Sequence, residues 1–326
     1  MPRLGTTMSE MTPGQHGVEV QQANAALPDA GRRRYMSKAD DFDLRVRSLN
    51  IDIQPDWEPQ IIEQWTTIKS NIRAGLVAEF GEFAASRKEE NFVAIGPLSM
   101  SIISYHNALH RQVRNAFVLG SYYPALVGAC ALGERVLNHL ILDLREFFTA
   151  TPEYRRVARK QSFDNWVLAI DTLEAWGVLL PEAVGHYRAL ANLRHRSVHF
   201  DPGTYGRLRD DALAAVLAIR DILDLQFSTF AVRPWFIPDA AGTCFIAKAY
   251  ETDPFIRTYF IPNCFFVGPH HLIQAMRPEV VVVDKPNYGA HAWSDAEFQM
   301  RYTTRGTEDI VQAPAPEPVL NDPQPQ

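Results

Sequence analysis

Six stretches between Ile61 and Phe227 set apolar residues three or four positions apart, and after Phe230 that spacing gives way to short β-branched and aromatic runs. A repeat of 3.6 residues buries one stripe of a helix, whereas a repeat of two buries one face of a strand. The first stripe is Ile61, Trp65, Ile68, Ile72, Leu76, Phe80 and Phe83, with Pro59 suited to the first helical turn. A weaker helix is expected from Ser99 to Leu119, and a stronger one through Leu126, Cys130, Leu137, Leu140, Leu144 and Phe147. "SFDNWVLAIDTLEAWG" reads as a helix closed by Gly177, and "LPEAVGHYRALANLRHRSVHF" as one stopped by Asp201-Pro202-Gly203. Leu213, Val216, Leu217, Leu223 and Phe227 mark the last. Beyond them "CFIAKAY", "FIRTYFI", "CFFVG" and "VVVV" are separated by Pro, Gly, Asn and Asp and predict strands.

The fold class that follows is α+β: mainly an α-helical bundle with a small C-terminal β-rich extension. Residues 1–50 are polar, carry Arg32-Arg33-Arg34, and predict a mostly disordered arm. Residues 51–98 supply an N-terminal helix packing on the bundle, 99–230 the helical domain, 231–305 the β-rich extension and 306–326 a Pro-rich disordered tail. The aromatics of the extension predict that one of its faces packs on the helical domain, with the helix from Ile61 to Phe83 as a candidate partner.

The net charge of −6 argues against a general polyanion binder, so any contact with nucleic acid is expected from a local patch. The three cysteines, Cys130, Cys244 and Cys264, have no CxxC spacing and predict a reducing compartment without a zinc site. No apolar run predicts a membrane span, and no signal-peptide core is present near the N-terminus, so a cytoplasmic protein with no membrane association is the expectation.

One segment stands apart chemically. "NLRHRSVHF" (Asn192–Phe200) places two arginines and two histidines in nine residues. On a helix His195 and His199 share a face, Arg196 lies ~60° from His199, and Arg194 lies ~140° away on a side chain long enough to wrap toward it. Pro202 sets the group near a helix C-terminus, whose partial negative charge favours protonated histidine. A guanidinium grips phosphate oxygens through paired hydrogen bonds and keeps its charge, and histidine exchanges protons near neutrality. The combination suits cleavage of RNA by its own ribose hydroxyl, with histidine moving the proton and arginine stabilising the phosphorane.

Arg194-His195-Arg196-Ser197-Val198-His199 resembles the signature of the HEPN domains: an arginine, a polar residue, three variable residues and a histidine. "AFVLGSYYPALVGACALGERVLNHLIL" (Ala116–Leu142) resembles the helix–turn–helix opening of such domains, and the two helices before Phe200 resemble their later ones. The likeness spans roughly Ser99 to Phe230. In that family Asn more often follows the arginine; His195 stands there here. The resemblance implies a dimeric helical bundle, and in many members a metal-independent endoribonuclease of toxin–antitoxin or antiviral phage-defence systems, with an antitoxin or nucleotidyltransferase as a possible partner. Other members only bind RNA, nucleotide or protein. It implies Arg194 and His199 as the catalytic pair and His195 as the supporting polar residue; Arg196 is the expected substrate-binding residue, and no metal or other cofactor is expected. A two-fold interface would bring both Arg/His sets to one cleft. A scaffold that recruits other proteins is the remaining alternative.

Other chemistry-bearing residues have plainer readings. Glu134 and Arg135 resemble polar positions on the facing helix of such domains, and an ion pair or a solvated face explains them too. His106 and His110 are four apart but lack a third ligand, so surface or interface histidines are expected. Arg188 and His195 repeat the Arg…His spacing by chance. Trp235 and Trp293 are expected in the core of the extension.

Overall fold

The chain enters the fold on a strand. The computed structural model describes residues 30–38, 41–102, 104–198, 203–230, 232–240, 244–275 and 281–312. β1 (Arg34–Ser37) is buried along its whole length and pairs antiparallel with Cys264–Val267, Arg34 opposite Val267 and Ser37 opposite Cys264. The free arm expected through residue 50 is thus replaced, over residues 30–38 and 41–50, by ordered chain. The basic triplet explains why. Arg33 pairs with Asp284 at 3.0 Å and Arg34 with Asp295 at 2.7 Å, and their guanidiniums lie over the rings of Tyr288 and Phe298. Arg32 lies over Trp293. Three charges that would extend a tail in water are each drawn down by a ring and a partner on the far end of the sequence. Residues 1–29 and 313–326 lie outside the described residues.

β2 (Asp41–Asp43) pairs with β3 (Leu98–Ser101), and between them run α1 (Arg45–Leu49), α2 (Pro59–Phe80) and α3 (Ala85–Ala94). α2 ends at Phe80, before the Phe83 expected in its stripe, and Leu76 is its one buried side chain; Ile61 within it and Phe83 beyond it are exposed. It contacts α1 and α3 rather than lying flat on the bundle.

The bundle is α4 (Ser104–Val118), α5 (Tyr122–Leu144), α8 (Pro181–Val198) and α9 (Thr204–Phe227), with the short α6 (Tyr154–Val157) and α7 (Trp166–Ala175) between the second and third. α5 is central, touching α4, α7, α8 and α9. Tyr122–Phe148 is the one described stretch long and apolar enough to cross a membrane, and it is a core element here, 56% of its most apolar window being buried. Two glycines let neighbours close on it. A Cβ at Gly128 would sit 2.9 Å from Val113 of α4, and one at Gly133 would sit 2.6 Å from Leu190 of α8 and 2.8 Å from the Trp166 ring. α7 starts where the Asn165 side chain accepts the Leu168 N–H, and it stops at Gly177, whose φ of +68° suits glycine. Asn91 of α3, fully buried, donates to the last carbonyls of α4 at Phe117 and Val118 and accepts from Arg209 of α9.

The extension contains β4 (Cys264–Val267), β5 (Leu272–Ala275), β6 (Val281–Val283) and α10 (Asp295–Thr303), the last opened by a Ser294/Glu297 capping box. "FIRTYFI" is not the expected strand. Ile256–Phe260 forms a π-helical turn that runs into a 3₁₀ turn at Ile261–Asn263. Phe255, Ile256, Tyr259 and Phe260 are all buried on one side, around Phe227 and Trp235, an arrangement that strand alternation forbids. "CFIAKAY" is no strand either: it contributes isolated bridges at Phe245 and Ile246 and a 3₁₀ turn at Lys248–Tyr250.

The extension does pack on the helical domain, but not on α2. It covers the C-terminal ends of α5 and α9: Tyr259 donates to Asp143 at 2.8 Å, and Phe255 meets Phe227 edge-on. Along the same helices the motif arginines bind further from that cover, Arg194 to Glu134, nine residues before Asp143, and Arg196 to Asp211, sixteen before Phe227.

Candidate active site

Arg194 leaves α8 toward α5 and meets Glu134 there, with Nη2 to Oε2 at 2.9 Å. The same Oε2 accepts the indole N–H of Trp166 at 3.1 Å. Trp166, 4% exposed, opens α7, and its ring lies across Gly133, the residue before Glu134. Three elements thus converge on one carboxylate: α5 supplies it, α7 orients it with a neutral donor, and α8 brings the cation. Arg194 and Glu134 are each about a third exposed, so the pair sits at the surface on a buried footing.

The footing is tight. Ser197 donates its hydroxyl to the Arg194 carbonyl at 3.1 Å, closing the last turn of α8. Beneath it Cys130 is buried, and burial pushes its thiol up to about 12 against the pull of Ser197 and Arg194. Cys130 is therefore a packing residue and not a nucleophile at neutral pH. A valine at Gly133 is expected to destabilise the chain by about 1–3 kcal/mol, because neither Leu190 nor Trp166 has room to withdraw. Urea unfolding monitored by tryptophan fluorescence measures this. An unchanged midpoint would show that the α5–α8 contact can yield to a larger side chain.

Arg196 does not join Arg194. Two residues along a helix turn ~200°, and Arg196 leaves on the opposite flank, bound to Asp211 of α9 at 2.9 Å. Arg194 and Arg196 thus form two separate ion pairs, one on each side of α8. His195 lies on the exposed surface between them. His199 lies outside the described residues, as do Phe200, Asp201 and Pro202. The second Arg…His match dissolves into the surface: Arg188 pairs with Glu174 and Asp171 of α7.

His106 and His110 are not surface residues. Both are 1% exposed, and burial pushes each down to about 3, so both are neutral imidazoles. The His106 ring lies 5.0 Å from that of His139. Among the described residues no three His, Cys, Asp or Glu side chains converge as a metal cage requires. Trp235 is in the core of the extension, as expected, while Trp293 lies between Arg32 and Arg301.

Sequence reasoning noted Glu134 without assigning it to Arg194, and it missed Trp166, Gly133 and Asp211. The available signal was Gly133-Glu134 on the stripe of α5, a small residue beside an acid in an otherwise apolar run. Compared with models of known families, with curated proteins and with solved structures, the chain matches none.

Proposed function

We propose that the protein is a metal-independent endoribonuclease of HEPN type that acts through Arg194 and His199. The observation that carries the proposal is the setting of Arg194: a guanidinium at the end of a helix, held by a carboxylate that a buried indole fixes in turn. In the proposed reaction the ribose hydroxyl attacks the adjacent phosphorus and the bond to the next nucleotide's oxygen breaks. His199 takes the proton from the attacking hydroxyl and returns it to the leaving oxygen. Arg194 stabilises the charge on the phosphorane. His195, exposed beside Arg194, is the supporting polar residue, and Arg196 contacts the substrate strand on the α9 flank.

The Arg194–Glu134 pair is no obstacle to this chemistry. An ion pair so exposed contributes about 1 kcal/mol or less, so a phosphodiester can replace or share the carboxylate at small cost. The proposed assembly is a homodimer that faces the two motifs across one groove. Tyr205, 88% exposed on the first turn of α9, and Val167, 66% exposed next to Trp166, are apolar groups suited to such a face. A cytoplasmic toxin or phage-defence effector, restrained by an antitoxin or nucleotidyltransferase, is the setting that the resemblance implies.

A second reading has an observation of its own. Both motif arginines in the described part of α8 are engaged by carboxylates, as in a module that only binds RNA, nucleotide or protein. Incubating the purified protein with end-labelled RNA in excess chelator separates the two. Cleavage leaving cyclic phosphate ends supports the nuclease. RNA bound but never cut would establish the silent module instead, and strict dependence on added metal would overturn the proposed mechanism.

A further inference from the structure

Where α3, α5 and α9 meet the end of α4, hydrogen-bond donors outnumber acceptors. Asn91 of α3 stands at the centre, fully buried. Its Nδ2 donates to the Phe117 and Val118 carbonyls at 3.2 and 3.3 Å and to the Tyr122 hydroxyl at 3.2 Å. Its Oδ1 accepts from Arg209 Nη2 at 3.1 Å and lies 3.4 Å from the Tyr122 hydroxyl. The amide has nothing further to give. A guanidinium offers donors and no acceptor. Arg209, half-buried, lies over the Phe117 ring at 5.9 Å, and its Nε is buried without a hydrogen bond.

Among the described residues no carboxylate pairs with Arg209. The acids of the neighbouring turns are engaged or turned away: Asp211 holds Arg196, Glu89 holds Arg73, and Asp210 is exposed ~100° further round α9. A second cation stands at the rim. Arg87 of α3 reaches the Tyr122 hydroxyl and pairs with Glu90 at 3.4 Å, the two side chains 61% and 67% exposed. Arg87 is thus balanced, and Arg209 is the cation left over. Tyr122 registers the excess of donors. Burial pushes its phenol up, but hydrogen bonds from Asn91, Arg209 and Arg87 and the Arg209 charge more than offset it and hold the group below its ordinary range. One guanidinium edge satisfies a planar carboxylate, whereas donors arriving from three helices match the several oxygens of a tetrahedral anion.

We propose that Arg209, with Tyr122 and Arg87 beside it, binds a phosphoryl group at this junction. A free or terminal phosphate and the backbone of a nucleic-acid strand present the same oxygens, and the test separates them. The site uses neither Arg194 nor Arg196, so it stands or falls separately from the ribonuclease reading.

The test titrates the full chain, in chloride buffer with chelator, with inorganic phosphate by calorimetry and with a labelled single-stranded DNA by fluorescence anisotropy. The DNA lacks the ribose 2′-hydroxyl and so cannot be cut by transesterification. Arg209→Gln is expected to weaken phosphoryl binding about tenfold or more, the loss of a charge-assisted hydrogen bond. Arg209→Lys keeps the charge without the fork and is expected to fall between the two. Tyr122→Phe keeps the ring beside Phe117 and removes the hydroxyl, and a severalfold weakening is expected. Should Arg209→Gln unfold earlier than the parent protein, Arg87→Gln at the exposed rim decides, again by a severalfold weakening. Dependence on Arg209 for inorganic phosphate alone assigns a free or terminal group; dependence for the DNA assigns the strand backbone. Binding of neither probe, or binding of both that every one of these variants leaves unchanged, would overturn the assignment.

Discussion

An Arg194→Ala protein is expected to cleave RNA about 10²–10³-fold more slowly than the parent chain, the loss seen when one donor to a developing oxyanion is removed. For His199→Ala the expected loss is about 10²–10⁴, the contribution of a positioned proton donor and acceptor. The fold should survive the first change. Arg194 is about a third exposed, and its partner Glu134 keeps the Trp166 N–H. Glu134→Gln adds a further distinction. It retains an oxygen for Trp166 and removes the charge that holds Arg194, so the arginine is looser but more available to phosphate. A change of no more than severalfold is expected. Initial rates on a labelled RNA in chelator, with circular dichroism confirming the fold, measure all three. Activity undiminished in both Arg194→Ala and His199→Ala would remove the catalytic assignment altogether.

The largest stability effect is expected at the other end of the molecule. Asp295→Ala should cost about 3 kcal/mol, because it leaves the guanidinium of Arg34, itself fully buried, without its carboxylate. The remaining partners of Arg34 are carbonyls, at Gly31, Arg33 and Trp293. Asp295 also accepts the Lys248 N–H at 3.0 Å, so the loss touches a second loop. Arg34→Met removes the charge along with the pair and keeps an apolar stem over Phe298, and it should be milder than Asp295→Ala. Denaturant midpoints of the two variants give the order. If Arg34→Met proves the worse, the carbonyl bonds hold this end together and the ion pair does not.

Much of the bundle was legible because helix periodicity is a local signal. α5, α7, α8 and α9 lie where their apolar spacing, Asn165 and Gly177 put them. α2 was legible as a helix but not in its placement. Its stripe promised burial, and the fold leaves most of it uncovered because α1 and α3 meet only one edge. "FIRTYFI" was misread although the signal was present: Phe255, Ile256, Tyr259 and Phe260 fall at helical spacing, and aromatic content masked it. Arg32–Arg34 could not be read locally at all. A run of charge means a solvated tail unless rings and carboxylates are waiting, and these wait about 250 positions away at Asp284, Tyr288 and Asp295. At the motif, residue type was legible and direction was not. Helical geometry set Arg194 and Arg196 on different sides of α8, but only the acids on α5 and α9 decide where each guanidinium rests.

The pairing of β1 with β4 also dictates an order of events during synthesis. Arg34 leaves the ribosome 261 positions ahead of Asp295. At ordinary translation speeds that is a wait of roughly 10–50 s. The bundle helices, whose contacts are closer in sequence, emerge in the interval and have ample time to fold. The nascent chain must therefore carry an unpaired strand with three adjacent arginines while the rest of the protein assembles behind it. Closure waits until Cys264–Val267 and Asp295 have emerged and the strand Arg34–Ser37 can be retrieved into its sheet. Whatever shields or engages that basic strand in the meantime governs the yield of finished protein, and the exposed arginines make acidic chaperone surfaces and ribosomal RNA its natural competitors.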